Sequence, residues 1–253
     1  MQFFPKKLSQ IYLVLFVSAF LTITGNFTFF QKTLLVYPLS ENWLFLGSLF
    51  FFLFTFLAAL LLLFCYRVTT KPILMVLLMI SAIVSYSTNN YGIVFDHNMI
   101  LNTFETDTSE FLDLVSFKSI LYFFIFGLLP SIFVLKVKLI KISFKAQLWE
   151  RIKTFLVLVI IFVTLVLTFS KHYSSFAREN RDLRLYITPT YYLYSATKFV
   201  DSKFATSTKP FKEIGLDAKL NKKSDKRRLV ILVVGETART DHMSLNGYDR
   251  NTN

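Results

Sequence analysis

The sequence predicts a mainly α protein: a five-helix transmembrane domain, then interfacial amphipathic helices, then the first strand of an α/β domain that stops soon after it begins. Three observations carry this. Five apolar segments occupy the first 171 residues, lysines and arginines cluster in alternate gaps between them, and the composition changes abruptly at Leu229. Of 253 residues, 54% are hydrophobic and 17% charged, whereas a soluble domain carries about 25% charged residues. The same proportions exclude a disordered or collagen-like chain.

A helix rises about 1.5 Å per residue, so crossing about 30 Å of hydrocarbon takes about 20 residues. The predicted spans fall at about 11–30, 44–65, 72–90, 118–137 and 153–170. The first two meet that length outright. The other three have shorter apolar cores and reach it by recruiting flanking residues; the third weakens after Tyr86. Lys6 and Lys7 precede the first span as they would a signal peptide, but the stretch from Thr24 to Phe27 fits no cleavage site. An uncleaved anchor is therefore expected. The sole cysteine, Cys65, can form neither an internal disulfide nor a Cys-rich metal site, and reads as a buried apolar residue.

Orientation follows from the basic residues, which favour cytoplasmic loops. They lie before span one (Lys6, Lys7), between spans two and three (Arg67, Lys71), and between four and five (Lys136, Lys138, Lys141, Lys145, Arg151, Lys153). These regions alternate, so they share the cytoplasmic side, with the N-terminus. The loop at 87–116 carries Asp96, Glu105, Asp107, Glu110 and Asp113 and falls outside, as does everything after Lys171. The net charge of +12 is thus accounted for by membrane-flanking and linker residues, and no nucleic-acid partner is expected.

Residues 172–204 place Tyr186, Tyr191, Tyr192 and Tyr194 among Leu185, Ile187 and Leu193, with a break at Pro189. Tyrosine favours the bilayer interface, so short helices lying on the membrane are expected; surface helices packed on the next domain fit equally. Residues 205–227 are polar and Lys-rich and read as a linker. Residues 229–234 (LVILVV) read as a buried strand of a parallel sheet.

Two places bear on chemistry. Glu236 follows Gly235 at the end of that strand, where open α/β sheets place ligands. It suits a metal such as zinc, although a Glu after a strand is more often a helix N-terminal residue favoured by the macrodipole. In the outer loop, Asn102, Thr106 and Glu110 recur every four residues and would line one helical face. Such a stripe suits a head group carrying an ammonium, or simply a solvated helix.

Together these places resemble a known family. VVGETAR at 233–239, SLNGY at 244–248 and RNTN at 250–253 are similar to the start of the catalytic domain of phosphoethanolamine transferases, and MILNTFETDTSE at 99–110 resembles their first large periplasmic loop. The resemblance covers the whole chain. It implies an alkaline-phosphatase-like α/β domain after the membrane part, in the inner membrane of a Gram-negative bacterium. It also implies transfer of phosphoethanolamine from a phosphatidylethanolamine donor to a lipid A acceptor, and with it polymyxin resistance. By resemblance, Glu236 is a zinc ligand, and Asn102, Thr106 and Glu110 bind the donor head group. The family's nucleophilic threonine and remaining zinc ligands match nothing in this chain. Thr237 is not that threonine, and Asp241 and His242 fall at variable positions of the motif. The expectation is therefore an N-terminal portion, 228–253 being a truncated start of the catalytic domain, with no catalysis of its own. The rivals are a lipoteichoic-acid-synthase-like phosphotransferase and a non-catalytic membrane protein.

Overall fold

The computed structural model describes residues 7–107, 109, 112, 114–140, 142–204, 215–219, 229, 231–232 and 240–251. The chain divides into two units, Met1–Thr206 and Ser207–Asn253, each taken by itself below.

The first unit is helical. Its elements are α1 (Gln10–Gly25), α2 (Phe27–Val36), α3 (Leu39–Phe64), α4 (Thr70–Tyr91), α5 (His97–Glu105), α6 (Phe117–Lys136), α7 (Phe144–Thr168), α8 (Ser170–Glu179), a 3-10 turn (Arg181–Tyr186) and α9 (Thr190–Phe204). In lipid every backbone polar group needs an internal partner, which selects helices for such apolar runs. Helices α3, α4, α6 and α7 are long and apolar enough to cross a membrane, and α1 with α2 makes a fifth span if the bent pair is one.

Helix α1 packs on both α3 and α4, α7 leans on α3, and α6 covers α4. The core forms where Leu13, Val14, Val17 and Leu21 of α1 meet Leu57, Ala58 and Leu61 of α3 and Leu74 and Leu78 of α4. The α1 residues share one helical face by their spacing. Ser18 and Thr22 lie on that face fully buried; each hydroxyl donates to the carbonyl four residues back, at 2.8 Å. Small polar residues let membrane helices approach closely. Helix α7, by contrast, leaves Leu156, Val157, Ile160 and Leu167 exposed, a face fit for lipid.

The first predicted span is not one straight helix. Asn26 leaves helical geometry (φ −116°, ψ 24°), and α1 and α2 bend by 58° across it. The cause is in the side chain. The Asn26 amide donates to the carbonyls of Leu21 (3.1 Å) and Thr22 (3.3 Å), satisfying groups the break releases. In α6, Phe124–Leu128 widens to a π turn. Pro130 has no N–H to offer the carbonyl of Phe126, and a widened turn absorbs such a defect. The fifth span starts at Phe144, not near 153. Ser143 caps it, so the charged stretch read as loop is the helix continuing past the apolar core.

All three basic regions converge at one end of the bundle. The Leu8 amide donates to the carbonyl of Lys138 and that of Ile140 to the carbonyl of Leu8, both at 3.0 Å. The Gln10 amide donates to the carbonyl of Cys65 at 2.9 Å. Arg151 donates to the carbonyls of Leu62 and Cys65, capping α3. The Cys65 side chain is buried.

In the second unit, Thr240–His242 and Ser244–Asn246 form 3-10 turns. Of the predicted strand at 229–234, the described residues Leu229, Ile231 and Leu232 are 75–87% exposed and not in a strand, and the other three lie outside the described residues. A parallel strand draws its hydrogen bonds and burial from neighbouring strands, and the described residues include none.

Candidate functional site

The end of the bundle opposite the basic regions is where α4 finishes and α5 begins. The last turns of α4 are polar because they join three elements. Asn89 accepts from Thr28 of α2 (2.5 Å) and donates to Tyr122 of α6 (3.3 Å). The Tyr86 hydroxyl pairs with Ser116 (3.1 Å), and Lys118 donates to Asn90 (2.6 Å). These bonds satisfy the side chains that weaken the third apolar segment. Gly92 then reverses the chain with φ of +69°, a conformation that favours glycine.

Asp96 starts α5 by accepting from the amide of Met99 at 2.8 Å, a standard N-cap. The helix ends at Glu105, so the expected stripe does not continue. Thr106 is extended (φ −66°, ψ 129°), and its hydroxyl donates to the carbonyl of Asn102 at 2.7 Å. A β-branched residue followed by Asp107 favours stopping here. Asn102 and Thr106 are thereby brought together, and the Asn102 side chain is exposed. Glu110 lies outside the described residues.

Helix α5 rests on α9. The Phe104 and Phe199 rings stack at 5.3 Å and 7°, and His97 meets Phe199 edge-on at 6.0 Å. Phe104 keeps 75% of its surface exposed. The His97 Nδ1 is buried with no hydrogen-bond partner among the described residues. The sequence reading missed this aromatic platform. Its signal was present, since His97 and Phe104 are seven residues apart and so share a face of α5. On α9, the Tyr194 hydroxyl holds the Lys198 ammonium and raises its pKa.

The segment after the last span is anchored on the other helices. The Asn26 amide donates to the carbonyl of Thr188 (2.8 Å), and the Thr188 amide donates back to Asn26 (2.9 Å). Tyr192 pairs with Ser81 at 3.2 Å and Tyr173 with Ser48 at 3.1 Å. Burial raises both phenols, Tyr192 to about 12, with the serine bonds opposing. His172 stacks on Phe45 at 5.3 Å. Both halves of the expected interfacial segment thus pack on the spans.

Glu236 and Thr237 lie outside the described residues. The exposed His242 ring packs on Tyr248 at 4.9 Å. Among the described residues, no group of three His, Cys, Asp or Glu side chains converges on a point that could hold a metal ion.

Residues 53–204 match the family model described as phosphoethanolamine transferase EptA/EptB. The chain is 37% identical to phosphatidylethanolamine transferase Mcr-1 of Escherichia coli over 254 residues, covering 98% of this chain and 47% of that protein. It is 27% identical to phosphoethanolamine transferase EptA of Salmonella typhimurium, over 97% of this chain and 46% of that protein. Among solved structures, it superposes with TM-score 0.86 and 26% identity on the integral membrane protein lipooligosaccharide phosphoethanolamine transferase A from Neisseria meningitidis, covering 97% of this chain and 46% of that one. The chain spans about half the length of the curated relatives it matches. By its helical order, its bundle and the match over 53–204, the chain belongs to the phosphoethanolamine transferase EptA/EptB family.

Proposed function

We propose that this chain is the membrane part of an inner-membrane enzyme that moves phosphoethanolamine from phosphatidylethanolamine to lipid A, and that the α5 platform holds the donor head group. The observation that carries the reading is the junction of α5 and α9. The exposed Asn102 side chain and the Thr106 hydroxyl bring oxygen atoms to the end of α5, the helix whose Phe104 stacks on Phe199 of α9. An ethanolamine ammonium suits such a place: carbonyl and hydroxyl oxygens accept its N–H bonds, and an aromatic face attracts a cation. Glu110 would add a charge-assisted bond.

Family membership supports placing α5 and Asn253 in the periplasm and the basic end in the cytoplasm, and the lysine distribution agrees. It also supports residues 172–204 as an interfacial layer, 205–227 as a linker and 228–253 as the beginning of a catalytic domain. Zinc is the metal the resemblance implies, with Glu236 supplying one carboxylate. Catalytic zinc wants three protein ligands, so one carboxylate makes no site and no step is assigned to the metal here. The role left to the membrane part is to bind and orient the donor, which lowers the barrier by positioning.

The experiment is the double change Asn102→Ala with Glu110→Ala, expressed from the protein's own gene in a Gram-negative host. Mass spectrometry of lipid A should show phosphoethanolamine addition reduced about tenfold or more, as expected for losing a charge-assisted and a neutral hydrogen bond. Undiminished addition would remove these residues from donor binding.

A further inference from the structure

The basic end of the bundle holds a cavity of about 530 Å³, within the size range of ligand sites. It lies between the α3–α4 turn, the loop after α6 and the start of α7. Buried Gln10 and Gln147 line it together with Arg67 and Lys71. Its wall is fixed by the backbone pairing of Leu8 with Leu139 and by the bond from Gln147 to Gln10.

The two cations are placed but not neutralised. Lys71 donates to the carbonyl of Leu135 at 2.7 Å. Arg67 donates through Nε to Gln147 (3.0 Å) and through Nη2 to the carbonyl of Ile142 (3.4 Å). These bonds use one of three lysine donors and two of five arginine donors. Among the described residues, no carboxylate lines the cavity. In the sequence at 62–72 and 135–155 the single acidic residue is Glu150, which pairs with Lys153 at 3.7 Å. Arg67 also holds a left-handed φ of 37°. A glycine would take that turn without strain, but it would bring no guanidinium, and strained residues gather at ligand sites.

The rim has the opposite character. Val68, Ile140 and Ile142 line the cavity yet are 85%, 45% and 41% exposed, and Phe144 and Trp149 are exposed close by in sequence. A free phosphate would satisfy the cations and leave this rim in water. A zwitterionic phospholipid would bring an ammonium that the cations repel. A ligand with net negative charge and an attached acyl chain satisfies both halves, as in other basic pockets between membrane helices. We propose that this cavity binds the phosphate and proximal acyl chain of an acidic glycerophospholipid, with Arg67 and Lys71 as the phosphate ligands.

The test uses the full chain, purified and delipidated in a neutral detergent, with thermal unfolding followed as lipid is added. Phosphatidylglycerol should raise the unfolding temperature saturably and inorganic phosphate should not at equal concentration; any shift from phosphatidylethanolamine, which the α5 platform would hold, should be the same with and without the two cations. Arg67→Gln with Lys71→Gln should weaken the apparent affinity for phosphatidylglycerol about tenfold or more, and Lys153→Gln should leave it unchanged. Val68→Trp, at an exposed position, should crowd the rim and weaken binding too, and decides the matter if the double variant does not fold. Three results would each overturn the proposal: affinity for phosphatidylglycerol retained in the cation variant, or in Val68→Trp where the cation variant is unfolded; a phosphatidylethanolamine shift weakened by those changes as much as the phosphatidylglycerol shift; or inorganic phosphate alone reproducing the shift. None of these readouts depends on phosphoethanolamine transfer.

Discussion

At Asn26 one carboxamide does three things. It ends α1, satisfies carbonyls freed by the break, and clamps Thr188 from the far side of the last span. Leucine at this position would leave both the amide and the carbonyl of Thr188 without partners in a buried place. Asn26→Leu should therefore destabilise the fold by about 2 kcal/mol, measured by unfolding in detergent micelles. The sequence shows only a polar residue late in an apolar run; a partner 162 residues away leaves no local trace. Tyr192 is similar, since its seat on Ser81 leaves no local trace either. Its folded pKa is raised from 10.0 to about 12. The folded state thus holds the phenol proton more tightly than the unfolded chain. That contribution to stability is whole below about pH 10 and is lost as pH rises through about 12. Tyr192→Phe should remove this alkaline loss, so that stability measured from about pH 9 to 12 falls less steeply than in the parent. An equal slope would show that Tyr192 does not titrate in this way.

Among the elements, α6 packs tightly on α4 at Gly127, in the π turn. A Cβ there would stand 3.1 Å from the Cβ of Ala82 and 3.3 Å from the Phe123 ring. Gly127→Leu should cost about 1–3 kcal/mol by overpacking. Gly47→Ala on α3, with nothing within 4 Å of its added Cβ, should be neutral or stabilising. Unfolding measurements on the pair separate a packing role from a general intolerance of glycine replacement. Element existence was legible because twenty-residue apolar runs have few other uses. Element ends were less so. Lys145, Glu150 and Arg151 masked the first turns of α7, because charge marks the edge of the bilayer and not the edge of a helix. Residues 102–110 read as one face of a helix by spacing alone. Spacing carries no information about whether the backbone stays helical, and the Thr106 hydroxyl turning back on Asn102 ends it.

For the whole molecule, the alternation of basic loops predicted two unlike ends, and the bundle does gather Leu8, Arg67, Lys71 and Arg151 at one of them. The membrane orientation of those ends is a separate matter. Reporter fusions at Lys138 and at Asn102 should score as cytoplasmic and exported respectively; both on one side would mean that α6 fails to cross, and the reverse pattern that the α1–α2 pair does. The aromatic platform of α5 and the cavity under Arg67 were invisible to sequence because each needs two helices far apart in the chain. The same long separations govern how the protein is made. Helix α1 leaves the ribosome first, yet Gln10 near its start waits for Gln147, 137 residues later, and Asn26 at its end waits for Thr188, 162 residues later. At about 5–20 residues per second of synthesis, α1 waits roughly 7–30 s for these partners. Assembly therefore closes onto α1 instead of growing outward from it.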